Sequence, residues 1–196
     1  MKIKTAELQE ALTKVSKGLG AGKFLEVTAY IHMLFFENKL ILTATDTAIY
    51  VHVELSVDFD ADEEIVVEGQ KLVDLIKKTT TEFVELTVHE RYLEVEGNGE
   101  YKLDLYQGEF PTYNFKDENE VALDLAEFKN AVEKTLPAVA KDMTVPYLAG
   151  FYIGDAVVAT DGIKMSVYEH KFLDTPILLP LEVVDKLSVL EGKEVI

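Results

Sequence analysis

Ala44-Thr45-Asp46 recurs later in the chain as Ala159-Thr160-Asp161, and the surrounding pattern recurs with it. Each tripeptide ends an apolar strand, Leu40-Ile41-Leu42 in the first copy and Ala156-Val157-Val158 in the second. Each copy also lies downstream of an amphipathic helix and opens a further strand. Recurrence of a whole unit of helix and strands indicates a fold that is built by repetition.

Two further copies of this unit follow from the same pattern. A short strand at Ile65-Val66-Val67 leads into a predicted helix and three strands, and another begins at Ile177-Leu178-Leu179 before a fourth helix. The unit is therefore a short strand, a helix and three strands, present about three and a half times. The predicted helices span 5–18, 70–78, 125–139 and 181–190, and the three strands of the second copy span 83–88, 91–96 and 100–106.

The half copy at the end predicts an uncovered helix face and an unpaired sheet edge, which proteins normally avoid. We therefore expect the chain to be a piece of a longer protein, or to depend on a partner. The stretch 108–120 is the plausible linker, so we predict a first domain over 1–117 and an incomplete second domain over 118–196. Helices with one apolar stripe and strands with alternating faces predict an α+β fold, with antiparallel sheets outside and helices on one face.

Composition narrows the classes of protein that remain. The 196 residues are 48% hydrophobic, which is enough to bury one large core or two small ones. The chain has no cysteine, so disulfides and thiolate metal sites are excluded. No apolar stretch approaches the roughly 18 residues that a membrane-spanning helix needs. These features predict a soluble, cytoplasmic protein.

The net charge of −17 argues against nucleic-acid binding when the chain is taken whole. Its distribution argues the other way. Residues 4–17 and 125–141 each carry three lysines against two glutamates, and residues 70–78 carry three lysines against one aspartate. These are either ordinary solvated helix faces or parts of one shared basic surface, and the same sign on repeated elements favours the second interpretation.

No arrangement of side chains in the sequence predicts catalysis. Asp46 and Asp161 lack the paired Asp-Thr/Ser-Gly of aspartic proteases, so we expect each to fix a turn between strands. The stretch 58–69 resembles a calcium loop but has Glu63 at the obligatory glycine position. The four histidines have no zinc spacing. We therefore predict a protein that is not an enzyme and that needs no cofactor and no metal.

Four segments resemble bacterial DNA sliding clamps, the DNA polymerase III β subunit. Val158-Ala159-Thr160-Asp161-Gly162-Ile163-Lys164-Met165-Ser166 is similar to the family's Ala-Thr-Asp-Gly segment, and Glu109-Phe110-Pro111-Thr112-Tyr113 to the Phe-Pro segment that ends its first domain. The stretches 1–16 and 65–71 fit in order and spacing. The resemblance covers essentially the whole chain, as the N-terminal portion of such a clamp.

The resemblance implies a polymerase processivity factor, a homo-oligomeric ring that encircles duplex DNA with helices lining the hole. Lysine suits a sliding contact because its ammonium is a point charge on a flexible stem, and Arg91 is the single arginine among 19 basic residues. Position and charge give a set of candidate DNA-binding residues, in which Gln70 replaces a residue that is often basic: Lys14, Lys17, Lys23, Gln70, Lys71, Lys77, Lys78, Lys134 and Lys141.

The resemblance also implies a pocket that binds short peptides of DNA polymerase and clamp-loader subunits. Ile163 replaces the family's usual ring-bearing residue and Lys164 its usual arginine, so the preferred peptide is expected to differ. For Leu148 and Met165, the alternative is a place in the core. The other wall of the pocket would come from sequence beyond this chain, so we expect weak peptide binding. The candidate pocket residues are Leu148, Thr160, Gly162, Ile163, Lys164 and Met165.

Two other hypotheses stay open on the sequence. An acidic protein that mimics DNA and blocks a DNA-binding enzyme would show carboxylates in rows on an exposed face, and helices without net positive charge. The other hypothesis is an ordinary two-layer domain whose oligomer serves an unrelated purpose.

Overall fold

The computed structural model describes residues 1–23, 25–59, 62–111, 123–142 and 144–187. The chain forms two compact units, Met1–Asn114 and Phe115–Ile196. Within the described residues, every helix is too short or too polar to cross a membrane. The predicted domain boundary after residue 117, most of the predicted linker and the end of the fourth predicted helix lie outside the described residues, so the boundary stays a prediction.

The described part of the first unit contains two α-helices and eight strands. Its helices are close to the predicted ones, although the first ends in a 3-10 turn over Ser16–Gly18. The third strand of the second copy ends at Asp104, earlier than predicted. Arg91 lies in a turn and not in a strand as predicted, since that strand begins at Tyr92. The elements are β1 Lys2–Lys4, α1 Thr5–Val15, β2 Tyr30–Phe36, β3 Lys39–Thr45, β4 Tyr50–Ser56, β5 Glu63–Glu68, α2 Gly69–Lys78, β6 Phe83–Val88, β7 Tyr92–Glu96 and β8 Glu100–Asp104.

The two copies in this unit exchange their short strands. The sheets have the orders β4-β3-β2-β5 and β1-β6-β7-β8, and all their pairs are antiparallel. Val67 of β5 thus pairs with Ile31 in the first copy, and Ile3 of β1 pairs with Val84 in the second. Each sheet is completed by a strand from the other copy, so neither copy forms its sheet alone.

Both helices pack into one core of the first unit, and they run antiparallel to each other. Leu8, Leu12 and Ile76 are fully buried in that core. The Gln9 side-chain amide donates to the Ile76 carbonyl at 2.9 Å, which places the middle of α1 beside the end of α2. A Cβ atom on Gly69 would lie 2.6 Å from Leu19 Cδ2, so glycine permits the close approach at the other end.

The second unit repeats half of this arrangement around its own core. Its sheet has the order β11-β10-β9-β12, which matches β4-β3-β2-β5 strand for strand. Asp124 caps the helix α3 by accepting hydrogen bonds from the backbone of Ala126 and Glu127. The helix gives way to a 3-10 turn at Pro137. The described elements are α3 Leu125–Thr135, β9 Gly150–Ile153, β10 Val157–Thr160, β11 Met165–Tyr168, β12 Ile177–Pro180 and α4 Leu181–Leu187.

Candidate nucleic-acid interface

The exposed side of α2 carries three lysines in one stripe. The five exposed residues of this stripe are Gln70, Lys71, Asp74, Lys77 and Lys78. The last four follow Gln70 by one, four, seven and eight positions, which places all five on one face of a helix. The opposite side of α2 is buried in the core. The structure therefore brings together four of the predicted DNA-binding residues, with one carboxylate among them.

The lysines of this stripe differ in their partners. Lys71 Nζ lies 2.5 Å from Glu68 Oε2, and this hydrogen bond, with the carboxylate charge, raises the pKa of the Lys71 ammonium. The Gln70 amide donates to Asp74 at 2.9 Å. Within the described part of the chain, no carboxylate forms an ion pair with Lys77 or Lys78. These two ammonium groups also lie in the last turn of α2, where the helix dipole favours positive charge.

Three further predicted residues lie on or just after α1. Lys14 is half-buried, and its Nζ lies 3.2 Å from Glu10. Lys17 and Lys23 are exposed and form no ion pair with any carboxylate that the structure describes. Because Leu19 packs on Gly69, the antiparallel helix pair brings the turn of Lys17 to the end at which Lys71 lies.

In the second unit, Lys134 is held against its own sheet. Its Nζ lies over the Tyr168 ring at 5.4 Å, and its carbonyl accepts a hydrogen bond from Ser166 at 3.2 Å. The Tyr168 hydroxyl donates to Glu127 at 2.7 Å, which raises the pKa of that tyrosine. Lys141 is exposed. Sequence reasoning missed the Lys134 contact because its partner lies on a distant strand.

The sheet face that lies away from the core of the first unit carries a row of carboxylates. Four residues lie directly opposite one another on the four strands of the sheet β1-β6-β7-β8, namely Lys2, Glu85, Glu96 and Glu100. Like charges in such positions repel each other. Lys102 relieves part of this repulsion, since its Nζ lies 3.6 Å from Glu100. Positive charge thus gathers on α2 and negative charge on this sheet face, although the separation is partial.

The turn between β10 and β11 is built from side-chain hydrogen bonds to the backbone. Asp161 Oδ1 accepts from the amides of Ile163 at 3.0 Å and Lys164 at 2.9 Å, and these bonds hold the pKa of its carboxyl below the usual range. Asp46 accepts from two backbone amides in the same way, at 3.1 and 2.9 Å. The turn role predicted for both aspartates is confirmed.

Several predicted pocket residues gather around this turn. Gly162 has a φ of +88°, and a Cβ atom there would lie 3.9 Å from Leu148 Cδ1. Ile163 is 97% exposed and Met165 67% exposed, so the alternative that Met165 is a core residue is wrong. Tyr147 is also exposed beside Leu148, and sequence reasoning missed it although Pro146 predicts a turn there. Exposed apolar side chains on a rigid turn form a surface that an apolar peptide could cover.

Metal ligation has no support among the residues that the structure describes, since no three His, Cys, Asp or Glu side chains converge there.

Comparison with known sequences identifies similar proteins. Residues 1–114 match the model of the family described as DNA polymerase III beta subunit, N-terminal domain. The chain is 28% identical over 208 aligned positions to the beta sliding clamp of Vibrio cholerae, covering 98% of this chain and 57% of that protein. It is 27% identical over 155 positions to the beta sliding clamp of Staphylococcus epidermidis, covering 70% and 41%. The chain therefore spans about half the length of these curated relatives.

Solved structures show the same fold. A DNA polymerase sliding clamp from Bacillus subtilis superposes with a TM-score of 0.86 at 19% identity, over 99% of this chain and 57% of that one. The DNA polymerase III subunit beta from Pseudomonas aeruginosa superposes with a TM-score of 0.84 at 21% identity, over 97% and 56%. The predicted α+β clamp fold is confirmed.

Proposed function

Since the chain belongs to the DNA polymerase III beta subunit family, we propose that it acts as part of a sliding clamp, a processivity factor that encircles duplex DNA and tethers replication proteins. The observation that carries this proposal is the lysine stripe on α2. Its ammonium groups are exposed on the side of the helix that faces away from the core, where a phosphate backbone could reach them.

The chemistry of the stripe suits sliding better than fixed binding. Lys77 and Lys78 supply mobile point charges, whereas the bidentate geometry of arginine would favour particular positions along the duplex. No base-reading set of side chains is needed for such a contact, because phosphate contacts carry no sequence information. The carboxylate row on the sheet face would repel DNA from the other side of the unit and so orient it toward the helices.

The clamp would also bind protein partners. The turn over 160–165, with Leu148 and the exposed Ile163, would contact short apolar peptides of a polymerase or a clamp-loader subunit. This chain would supply one wall of the pocket, and its own affinity would be weak. Replacement of the usual ring-bearing residue by Ile163 favours aliphatic anchors over stacked aromatic ones.

The clamp would act without catalysis, in the cytoplasm, as a homo-oligomeric ring. The DNA-mimic hypothesis has one observation in its favour, the row of Glu85, Glu96 and Glu100. The exposed lysines of α2 argue against it, because a protein that mimics the negative phosphates of DNA would not present a positively charged face.

The test is DNA binding by a charge-reversal variant. In Lys71→Glu/Lys77→Glu/Lys78→Glu, we expect binding to a fluorescein-labelled duplex at low salt to be lost, as measured by fluorescence anisotropy. The matched control is Lys2→Glu/Lys39→Glu/Lys102→Glu, which changes net charge equally but on strands. Circular dichroism should show both variants folded. Equal loss of binding in both variants would mean that only net charge matters, and the proposed interface would be wrong.

A further inference from the structure

A groove in the first unit lies apart from the lysine stripe. One part encloses about 540 Å³ and adjoins a second part of about 340 Å³. Both parts are lined by Glu64, Ile65, Glu90 and Leu105, so together they form one continuous groove. It runs between the first half of β5 and the turn that joins β6 to β7, and the segment after β8 lines its larger part.

The walls of this groove are strongly acidic. Four glutamates line it, namely Glu63, Glu64, Glu90 and Glu109, and no described lining residue is a lysine or an arginine. His89 also lines it, but the His89 ring bonds to Glu94 at 2.9 Å, outside the groove. The groove therefore presents an excess of negative charge to any ligand.

The groove also exposes an unpaired strand edge. On the outer edge of β5, the Val66 carbonyl accepts from the Tyr106 amide at 2.8 Å. Backbone groups two residues apart in a strand point the same way, so the N–H and C=O of Glu64 also face outward, into the groove. Within the described residues, neither group has a hydrogen-bond partner. A strand edge of this kind is a template for an added strand.

The floor of the groove is apolar. Ile65 is buried beneath the groove, and Leu105 is half-buried in its floor. The Phe110 ring stacks on His32 with centroids 5.2 Å apart, which anchors the segment after β8 beside the groove. A partner segment with alternating side chains could thus place apolar groups on the floor and charged groups against the walls.

We propose that this groove binds an extended, lysine- or arginine-bearing segment of a partner protein. The backbone of that segment pairs with Glu64 on the edge of β5, and its basic side chains reach Glu64, Glu90 and Glu109. The chain's own segment 112–122 is a poor occupant, because it holds three carboxylates against one lysine. This mode of recognition is strand addition, with the backbone giving affinity and the alternate side chains giving specificity.

The experiment uses the full chain and a fluorescein-labelled peptide of alternating arginine and valine, at physiological salt. We expect Glu64→Gln/Glu90→Gln to weaken binding about tenfold, as loss of charge pairs does at other interfaces. Because Glu64 also bonds to His32, a second variant, Glu90→Gln/Glu109→Gln, keeps that bond and should weaken binding to a similar degree. The matched control is Glu85→Gln/Glu96→Gln, which removes the same charge from the outer sheet face and should leave binding almost unchanged.

Amide hydrogen exchange provides a readout that bulk charge attraction would not move. On peptide binding, exchange at the Glu64 amide should slow, while exchange at exposed amides elsewhere on the sheets stays the same. Equal weakening in the groove and control variants would show attraction to net charge alone and would overturn the proposal. Peptide binding without protection of the Glu64 amide would overturn the strand-addition mode.

Discussion

Asn98 shows how one side chain joins two elements of the first unit. It lies in the turn after β7, between two of the predicted strands. Its Oδ1 accepts from the Thr80 amide at 2.9 Å, and its Nδ2 donates to the Lys78 carbonyl at 3.0 Å. The side chain thereby satisfies backbone groups at the end of α2, which would otherwise lack partners.

Loss of this link should destabilise the fold. We expect Asn98→Ala to lower the free energy of unfolding by about 1 kcal/mol, the usual net value of such hydrogen bonds. Urea denaturation followed by circular dichroism measures the change. Asn98→Asp keeps the acceptor but loses the donor, so it should fall between the alanine variant and the wild type. An alanine variant as stable as the wild type would contradict this role.

Asp161 should make the second unit sensitive to acid. Two backbone amides lower the pKa of its folded-state carboxyl. A carboxyl whose pKa is lower in the folded state than in the unfolded state stabilises the protein at pH values above the unfolded-state pKa. This stabilisation is lost as the pH falls through the folded-state pKa. We therefore expect Asp161→Asn to flatten the fall in the urea midpoint between neutral pH and about pH 3. Glu133→Gln removes an exposed carboxylate from the same unit and serves as the control. An equal flattening there would rule out a special role for Asp161.

Residues that interact locally could be predicted, whereas distant partners could not. The turn aspartates bond within three residues, and Lys71 pairs with Glu68 at a spacing visible in the sequence. Lys134 and Tyr168 meet only because β11 packs against α3. The sequence therefore predicts which helices carry the candidate lysines, but it does not predict the partners that restrain some of them.

At the scale of elements, the lysines of the two helices should differ in their effect on DNA binding. Lys77 forms no ion pair with a described carboxylate, whereas Lys14 is already paired with Glu10. Since a phosphate contact releases counterions, Lys77→Gln should reduce the slope of log affinity against log salt by about 0.9. Lys14→Gln should reduce it less. Anisotropy titrations over a range of salt concentrations measure both slopes, and equal changes would contradict the difference.

The helices and most strands could be predicted because their apolar periodicity is a local property. The exchange of β1 and β5 between the two copies could not. It depends on pairing between residues as distant as Ile3 and Val84. Each of the two short strands directly precedes a helix, so its neighbours in the sequence do not reveal its partner strand. Deletion of residues 1–4 should therefore leave β6 without its partner strand in the sheet β1-β6-β7-β8. The sheet β4-β3-β2-β5 should keep all of its strands.

At the scale of the whole molecule, the resemblance to sliding clamps is confirmed, and the described parts of the two units differ in how their helices are covered. The first unit buries two helices against two sheets, whereas the described part of the second has one sheet. Among described residues, eight of the eleven exposed large apolar side chains lie in the second unit. Repetition in the sequence predicted the shared units. It could not predict how much apolar surface each unit leaves exposed.

This difference predicts two separate unfolding transitions. The second unit should unfold at a lower urea concentration than the first, because it buries less apolar surface in its described core. The chain has no tryptophan, so single reporters can be introduced at exposed tyrosines, Tyr101→Trp in the first unit and Tyr152→Trp in the second. The fluorescence of the second reporter should change first, and a fragment of residues 1–111 should reproduce the transition of the first reporter. Coincident transitions for both reporters would mean that the units fold as one cooperative body.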